Sequence, residues 1–251
     1  MKTGIIIQAR LASTRLPGKV LLPFSSGKNI LQLIVERLEN NAFDVPICVA
    51  TTDNKVDQPI IDLCTENGYS YFVGDEQNVL KRFIDTAEHF KFDKIVRVCA
   101  DNPFLNLGLV EDLIRISNRE ESFDYLSFHI GSTPVIQSHI GIYSEITTLA
   151  ALKRVASETT DKLYLEHVTN YMYSHPNRFR VQLIAEHHFK EPDEVRLTID
   201  TQQDFETARK AFETLNFAEN LDYNIDELIE IIHSFPEMQR DMKHQIELNS
   251  K

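Results

Sequence analysis

The 251-residue chain is poor in cysteine, glycine and proline, and it contains no long hydrophobic run. Its three cysteines, Cys48, Cys64 and Cys99, are widely spaced and form no CxxC or Cys/His pattern. That argues against structural zinc and for reduced, buried thiols in a cytoplasmic protein. No apolar run approaches the roughly 18–20 residues that a membrane span needs. The three isoleucines after Lys2 and Thr3 are too short for a signal-peptide core. With 8 Gly and 9 Pro, no stretch is low in complexity, and there is no solenoid-type repeat. Acidic residues are missing from one place: none occurs between Met1 and Val35.

That gap matters because the chain as a whole carries 38 Asp and Glu against 26 Lys and Arg, a formal charge of -12. An acidic chain with no extended basic stripe does not suit DNA or RNA. Arg10, Arg15, Lys19 and Lys28 nevertheless cluster in the acid-free segment. A local cationic loop on an acidic protein suits a small polyanion such as a nucleoside triphosphate, although a solvated basic loop would have the same composition.

The hydrophobic pattern alternates between strand and helix. Strands are expected at 4–9, 46–51, 69–73 and 94–100, and helices at 29–41, 55–67, 77–90 and 107–118. This βαβα rhythm predicts an α/β fold, a mostly parallel sheet flanked by helices, in a single domain over 1–251. The rhythm breaks after residue 120, so 120–190 is expected to be a mixed α/β insertion that covers the site or builds a dimer contact. Within it, short strand pieces are expected over 123–143, helices at 144–156 and 160–175, and a strand at 178–185. Residues 194–199 are expected to rejoin the sheet, helices to follow at 201–215 and 223–234, and the polar tail from Pro236 to fray.

Parallel sheets bind ligands beyond the carboxyl ends of their strands, so the residues just after each strand carry the interest. After the first strand comes Gln8–Leu21, which fits neither GxxxxGK[ST] nor GxGxxG. Val96–Asp101 and Val195–Asp200 both read V-R-x-x-x-D. Two strand-end carboxylates in one crevice would make a hard oxygen site suited to Mg2+. Equally, each Asp could cap the element that follows and pair with its Arg; Asp200 before Thr201–Glu206 makes a good N-cap.

The spelling of the opening loop is more specific. Ala9, Arg10, Ser13, Arg15, Leu16, Pro17 and Lys19 resemble the N-terminal signature of the CTP-dependent cytidylyltransferases. That family includes the enzymes activating KDO and sialic acids and the spore coat polysaccharide protein F group. Asp101–Phe104 resembles its Asp-x-Pro-Leu element, and Arg196–Phe205 its second Asp element. The resemblance implies a Rossmann-like nucleotidyltransferase fold and a homodimer. It also implies transfer of CMP from CTP to a sugar or sugar-acid, with release of pyrophosphate, in surface polysaccharide or glycan biosynthesis.

It further implies roles residue by residue. Arg10, Lys19 and Asp101 would be catalytic, and Asp101 and Asp200 would hold Mg2+. Gln8, Ala9, Arg10, Ser13, Arg15, Lys19 and Asp101 would contact the nucleotide, with Thr52, Asp53 and Arg82 from the weaker matches Ala50–Asp53 and Gly74–Arg82. Glu166 and His167, in a segment similar to Glu-His-Val-Thr, would face the acceptor, together with His139. Two departures stand out: Ala100 replaces a common Gly, and Gln137–Gly141 lacks the carboxylate usual on the acceptor side. The rival readings are a nucleotide-sugar-dependent glycosyltransferase, disfavoured because Asp101–Pro103 has no second acid, and a non-catalytic nucleotide-binding relative.

Overall fold

The computed structural model describes residues 1–41, 44–120, 122–191, 193–215 and 223–249. Its first half alternates β1 (Thr3–Gln8), the short hairpin β2 (Pro23–Ser25) and β3 (Lys28–Asn29), α1 (Ile30–Glu39), β4 (Ile47–Thr52), α2 (Gln58–Asn67), β5 (Tyr71–Gly74), α3 (Val79–Phe90), β6 (Lys94–Cys99) and α4 (Leu107–Arg119). Local signals set these boundaries. Asn29, Asn78 and Asn106 cap α1, α3 and α4 with their side chains. Gly68 ends α2 in the left-handed conformation at φ 72°.

Strands β5, β4, β1 and β6 pair in that order, all parallel. The chain winds one way from β1 to β4 and β5 and the other way to β6, so the switch point lies between β1 and β6. Along β1 the side chains alternate between the two faces of the sheet. Ile5 and Ile7 join the larger buried cluster with α1 and α4, whereas Ile6 joins the other with α3.

The second half extends the same sheet through β7 (Tyr125–Ile130), β8 (Thr133–Pro134), β9 (Glu145–Thr148) and β10 (Val181–Ala185). Strand β9 runs antiparallel between β6 and β7, and β10 runs parallel to β7. Helices α5 (Leu149–Glu158), α6 (Lys162–Glu166) and α7 (Asn170–Ser174) precede β10, and α8 (Gln202–Thr214), α9 (Ile225–Ser234) and α10 (Pro236–Leu248) follow it. None of the described helices is long and apolar enough to cross a membrane.

Four expectations need correcting. The helix expected to start at 144 begins only at Leu149. Glu145–Thr148 form β9, whose pairing with β6 outweighs local propensity, and Thr148 caps α5. The helix expected over 160–175 breaks into α6 and α7, because Val168 is fully buried and Thr169 turns its hydroxyl to Glu145, 2.8 Å away. The apolar alternation at 194–199 is real, with Val195, Leu197 and Ile199 buried, yet no ladder forms. Instead, Leu197 donates to the His139 carbonyl (3.0 Å) and Ile199 to that of Asp101 (3.2 Å). The tail forms α10, held by the buried Met238 and Met242.

Candidate active site

The loop after β1 is closed by its own backbone: Ser13 and Gly18 both donate to the Leu11 carbonyl, at 2.8 and 3.0 Å. It is pinned from below by Asp57, which is 1% exposed and accepts from the Leu11 amide (2.6 Å) and the Thr52 hydroxyl. The loop therefore cannot swing freely, and its basic side chains project over the switch point.

The loop after β6 and residues 198–200 reach the same place. Lys19, 7% exposed, extends its ammonium to Asp101 Oδ2 (2.7 Å), Asp200 Oδ1 (3.3 Å) and the Ile199 carbonyl. Burial would lower the Lys19 pKa, but the two carboxylates outweigh it and raise it above the usual lysine range. Asp200 also meets Arg15 (2.9 Å) and Arg196 (3.1 Å). Burial would raise its carboxyl, yet Lys19, Arg15 and Arg196 together hold it below the usual range.

Arg196 has its own frame. It pairs with Asp204 through two bonds, at 2.7 and 2.9 Å. Its Nη1 lies 2.6 Å from His139 Nδ1; because a guanidinium only donates, that nitrogen is the acceptor. Asp204 also completes the capping box of α8 with Thr201. The two V-R-x-x-x-D segments thus diverge: Arg196 supports its own Asp200, whereas Arg97 turns to Glu145 at 2.6 Å.

Arg15, Lys19, Asp101 and Asp200, with Arg97 and Glu145, line a cleft of about 1060 Å3. Of the residues singled out from the sequence, it brings together Gln8, Arg10, Ser13, Arg15, Lys19, Asp101, Glu166, His167 and Asp200. Arg10 reaches across the mouth to Glu166 (3.2 Å).

Five others lie elsewhere. Ala9 is buried and continues the sheet by donating to the Ala50 carbonyl. Thr52 is fully buried against Asp57. Asp53 is exposed, and its amide is bound to the Gly74 carbonyl. Arg82 is fully buried and donates to the Asp75 carbonyl (2.7 Å); burial, and then Arg10, lower its pKa to about 10. His139 is 2% exposed behind Arg196, so it supports the acid frame instead of facing an acceptor.

The structure adds Asp57 and Glu145, which the sequence left unmarked. Glu145 lines the cleft and accepts from Arg97, from the Tyr125 hydroxyl (2.6 Å) and from Thr169. Its signal was hidden by the expected helix at 144–156. A carboxylate is therefore present on that wall, four residues beyond the Gln137–Gly141 stretch that lacks one.

A description of the cytidylyltransferase family matches residues 4–229. The chain is 33% identical over 238 residues to the spore coat polysaccharide biosynthesis protein SpsF of Bacillus subtilis, covering 92% of this chain and 94% of that one. Its fold is similar to that of a cytidylyltransferase from Leptospira borgpetersenii, with a TM-score of 0.83 at 29% identity over 95% of this chain and 97% of the other. It also resembles in fold a CMP:2-keto-3-deoxy-manno-octonic acid synthetase complexed with CTP, with a TM-score of 0.61 at 17% identity over 85% and 99%.

Proposed function

The chain belongs to the cytidylyltransferase family, and from that premise we propose that it transfers CMP from CTP to a sugar or sugar-acid and releases pyrophosphate, with Mg2+ as its cofactor. The observation that carries this reading is the Lys19 ammonium bridging Asp101 and Asp200 beside the basic loop, at the open end of the sheet. A role in surface polysaccharide or glycan synthesis is supported by the name of the Bacillus relative.

Among the described residues, no group of three or more His, Cys, Asp or Glu is placed to hold a metal. Two carboxylates nonetheless fit Mg2+, which typically binds one or two carboxylates plus substrate phosphates and water. A cation already lies between these two acids, so their geometry tolerates one. Asp101 and Asp200 would hold the ion, and it would neutralise charge developing on the phosphate oxygens.

The chain's own residues do the rest. Arg10 and Arg15 bind the phosphates, Lys19 turns from the two acids toward the phosphates in the loaded site, and the amides of residues 12–14 approach them closely because their side chains are small. A bound triphosphate competes with Glu166 for Arg10. The acceptor oxygen bonds to the α-phosphorus as the α–β bridging P–O bond breaks. That electron pair leaves with pyrophosphate, and the hydroxyl proton passes to solvent. Fixed charges aimed at the phosphates supply most of the acceleration.

The test is CTP-dependent pyrophosphate release by the intact protein and by Asp101→Asn. The variant is expected to lose on the order of 10²–10³ in turnover, the scale of removing one transition-state contact. Wild-type turnover in the variant overturns the assignment.

A further inference from the structure

We propose that Asn249 is a positioning residue for Arg15, which makes the last helix, α10, a working part of the nucleotide site. This rests on the reading above that Arg15 binds phosphate, and it names the residue that aims it.

Helix α10 spans Pro236–Leu248 and lies beyond residues 4–229, the stretch that matches the family. It packs back on α8. Met238 and Met242 are buried, Lys210 pairs with Glu237 at 2.8 Å, and Gln203 donates to Asp241 at 3.2 Å. That docking carries the C-terminal end of α10 to the basic loop after β1. There Arg15 Nη1 donates to Asn249 Oδ1 at 2.7 Å, while Arg15 Nη2 lies 2.9 Å from Asp200 Oδ1.

Asn249 is itself held. Its backbone amide and its side-chain Nδ2 both donate to the Gln245 carbonyl, at 3.1 and 2.9 Å, and Nδ2 lies 3.3 Å from Gln245 Oε1. A carbonyl only accepts and a guanidinium only donates, so both neighbours impose the same orientation on the Asn249 amide. Gln245 is 9% exposed and accepts in turn from the Thr201 hydroxyl at 3.1 Å. Thr201 follows Asp200 in the chain and caps α8. A ring thus closes through Arg15, Asn249, Gln245, Thr201 and Asp200, and it ties the two acceptors of Arg15 to one another.

The ring fixes a side chain that would otherwise wander. The Arg15 side chain is 49% exposed, and a long arginine held at one point is free to turn about it. Two acceptors, one on each terminal nitrogen, fix the plane of the guanidinium. N–H donors remain on both of those nitrogens and on Nε for a phosphate. Asn249 is neutral, so it aims the group without adding a negative charge. The C-terminal end of α10 brings the negative end of a helix dipole to the same spot. A phosphate then meets an arginine that is already ordered, and binding no longer has to order it.

The experiment measures the dissociation constant of CTP with Mg2+ by calorimetry for the intact protein, Asn249→Ala, Arg15→Ala and the double variant, together with the Tm of each without nucleotide. Asn249→Ala is expected to weaken CTP binding roughly three- to tenfold, the scale of one hydrogen bond. Its Tm is expected to stay within about 2 °C of the intact protein, as for a change at a partly exposed helix end. Arg15→Ala is expected to weaken CTP further, and adding Asn249→Ala to it to change nothing more, because Asn249 acts through Arg15. A merely loosened helix would give the same extra loss in both backgrounds. The proposal is overturned by unchanged CTP affinity in Asn249→Ala, or by a loss that adds in full to that of Arg15→Ala. The two levels separate cleanly. Absence of CTP binding by the intact protein sinks the nucleotide reading and this role with it, whereas intact binding that Asn249→Ala leaves unaltered sinks the positioning role alone.

Discussion

Lys19→Met tests the electrostatic frame most directly. The substitution keeps the length of the aliphatic stem and removes the ammonium, which leaves Asp101 and Asp200 facing one another without the cation between them. Stripping one partner from a buried ion pair costs about 3–5 kcal/mol. Asp101 is 30% exposed, and Asp200 keeps Arg15 and Arg196, so the low end applies, about 3 kcal/mol. For a chain of this size each kcal/mol shifts Tm by about 2–4 °C, giving a loss of roughly 6–12 °C by calorimetry without divalent ions. Mg2+ is then expected to take the vacated place. At tenfold its dissociation constant it restores about 1.4 kcal/mol, roughly 3–6 °C of the loss. A Tm within a degree of the intact protein refutes the claim that Lys19 holds the two acids together. A large loss that Mg2+ leaves untouched refutes the claim that those acids can share an ion.

Three other expectations follow from the same geometry. Gly141→Ala should destabilise the fold by at least 1–2 kcal/mol, because Gly141 has φ +73° and an added Cβ would lie 2.8 Å from the Thr198 amide nitrogen; chemical denaturation measures it. Asp200→Asn should be less stable than the intact protein at neutral pH. The depressed carboxyl contributes fully above the ordinary Asp pKa of about 3.9, and that contribution fades as pH falls through the lower folded value. The gap in Tm should therefore close below about pH 4, and a gap independent of pH counts against the ion pairs. His139→Ala should cost about 1–3 kcal/mol of stability through the lost bond to Arg196, read as a lower Tm, while the acceptor KM stays near that of the intact protein. A large rise in acceptor KM with unchanged Tm would restore His139 to the acceptor site.

The parallel half of the sheet was legible because strands buried on both faces write continuous apolar runs, as Ile5–Ile7 and Cys48–Ala50 do. The second half was less legible. Glu145–Thr148 directly precede the helical periodicity of Leu149–Glu158, and only an open slot between β6 and β7 makes them a strand. The apolar alternation at 194–199 reported burial correctly, yet period two alone does not say whether a partner strand is present. For α10, a polar composition concealed the two methionines that hold it.

By itself the sequence determined which charges would be available: a basic opening loop free of acids, and carboxylates at 101 and 200. Composition and order fix these, since a side chain's charge needs no fold to exist. The tertiary structure decided which charges meet. It set Lys19 between residues 82 and 181 positions further along the chain, turned Arg97 away from Asp101 to Glu145, and buried His139 behind Arg196. The physical reason is that ion pairing and desolvation act over a few ångströms in space, and those distances are set by how the strands are ordered in the sheet.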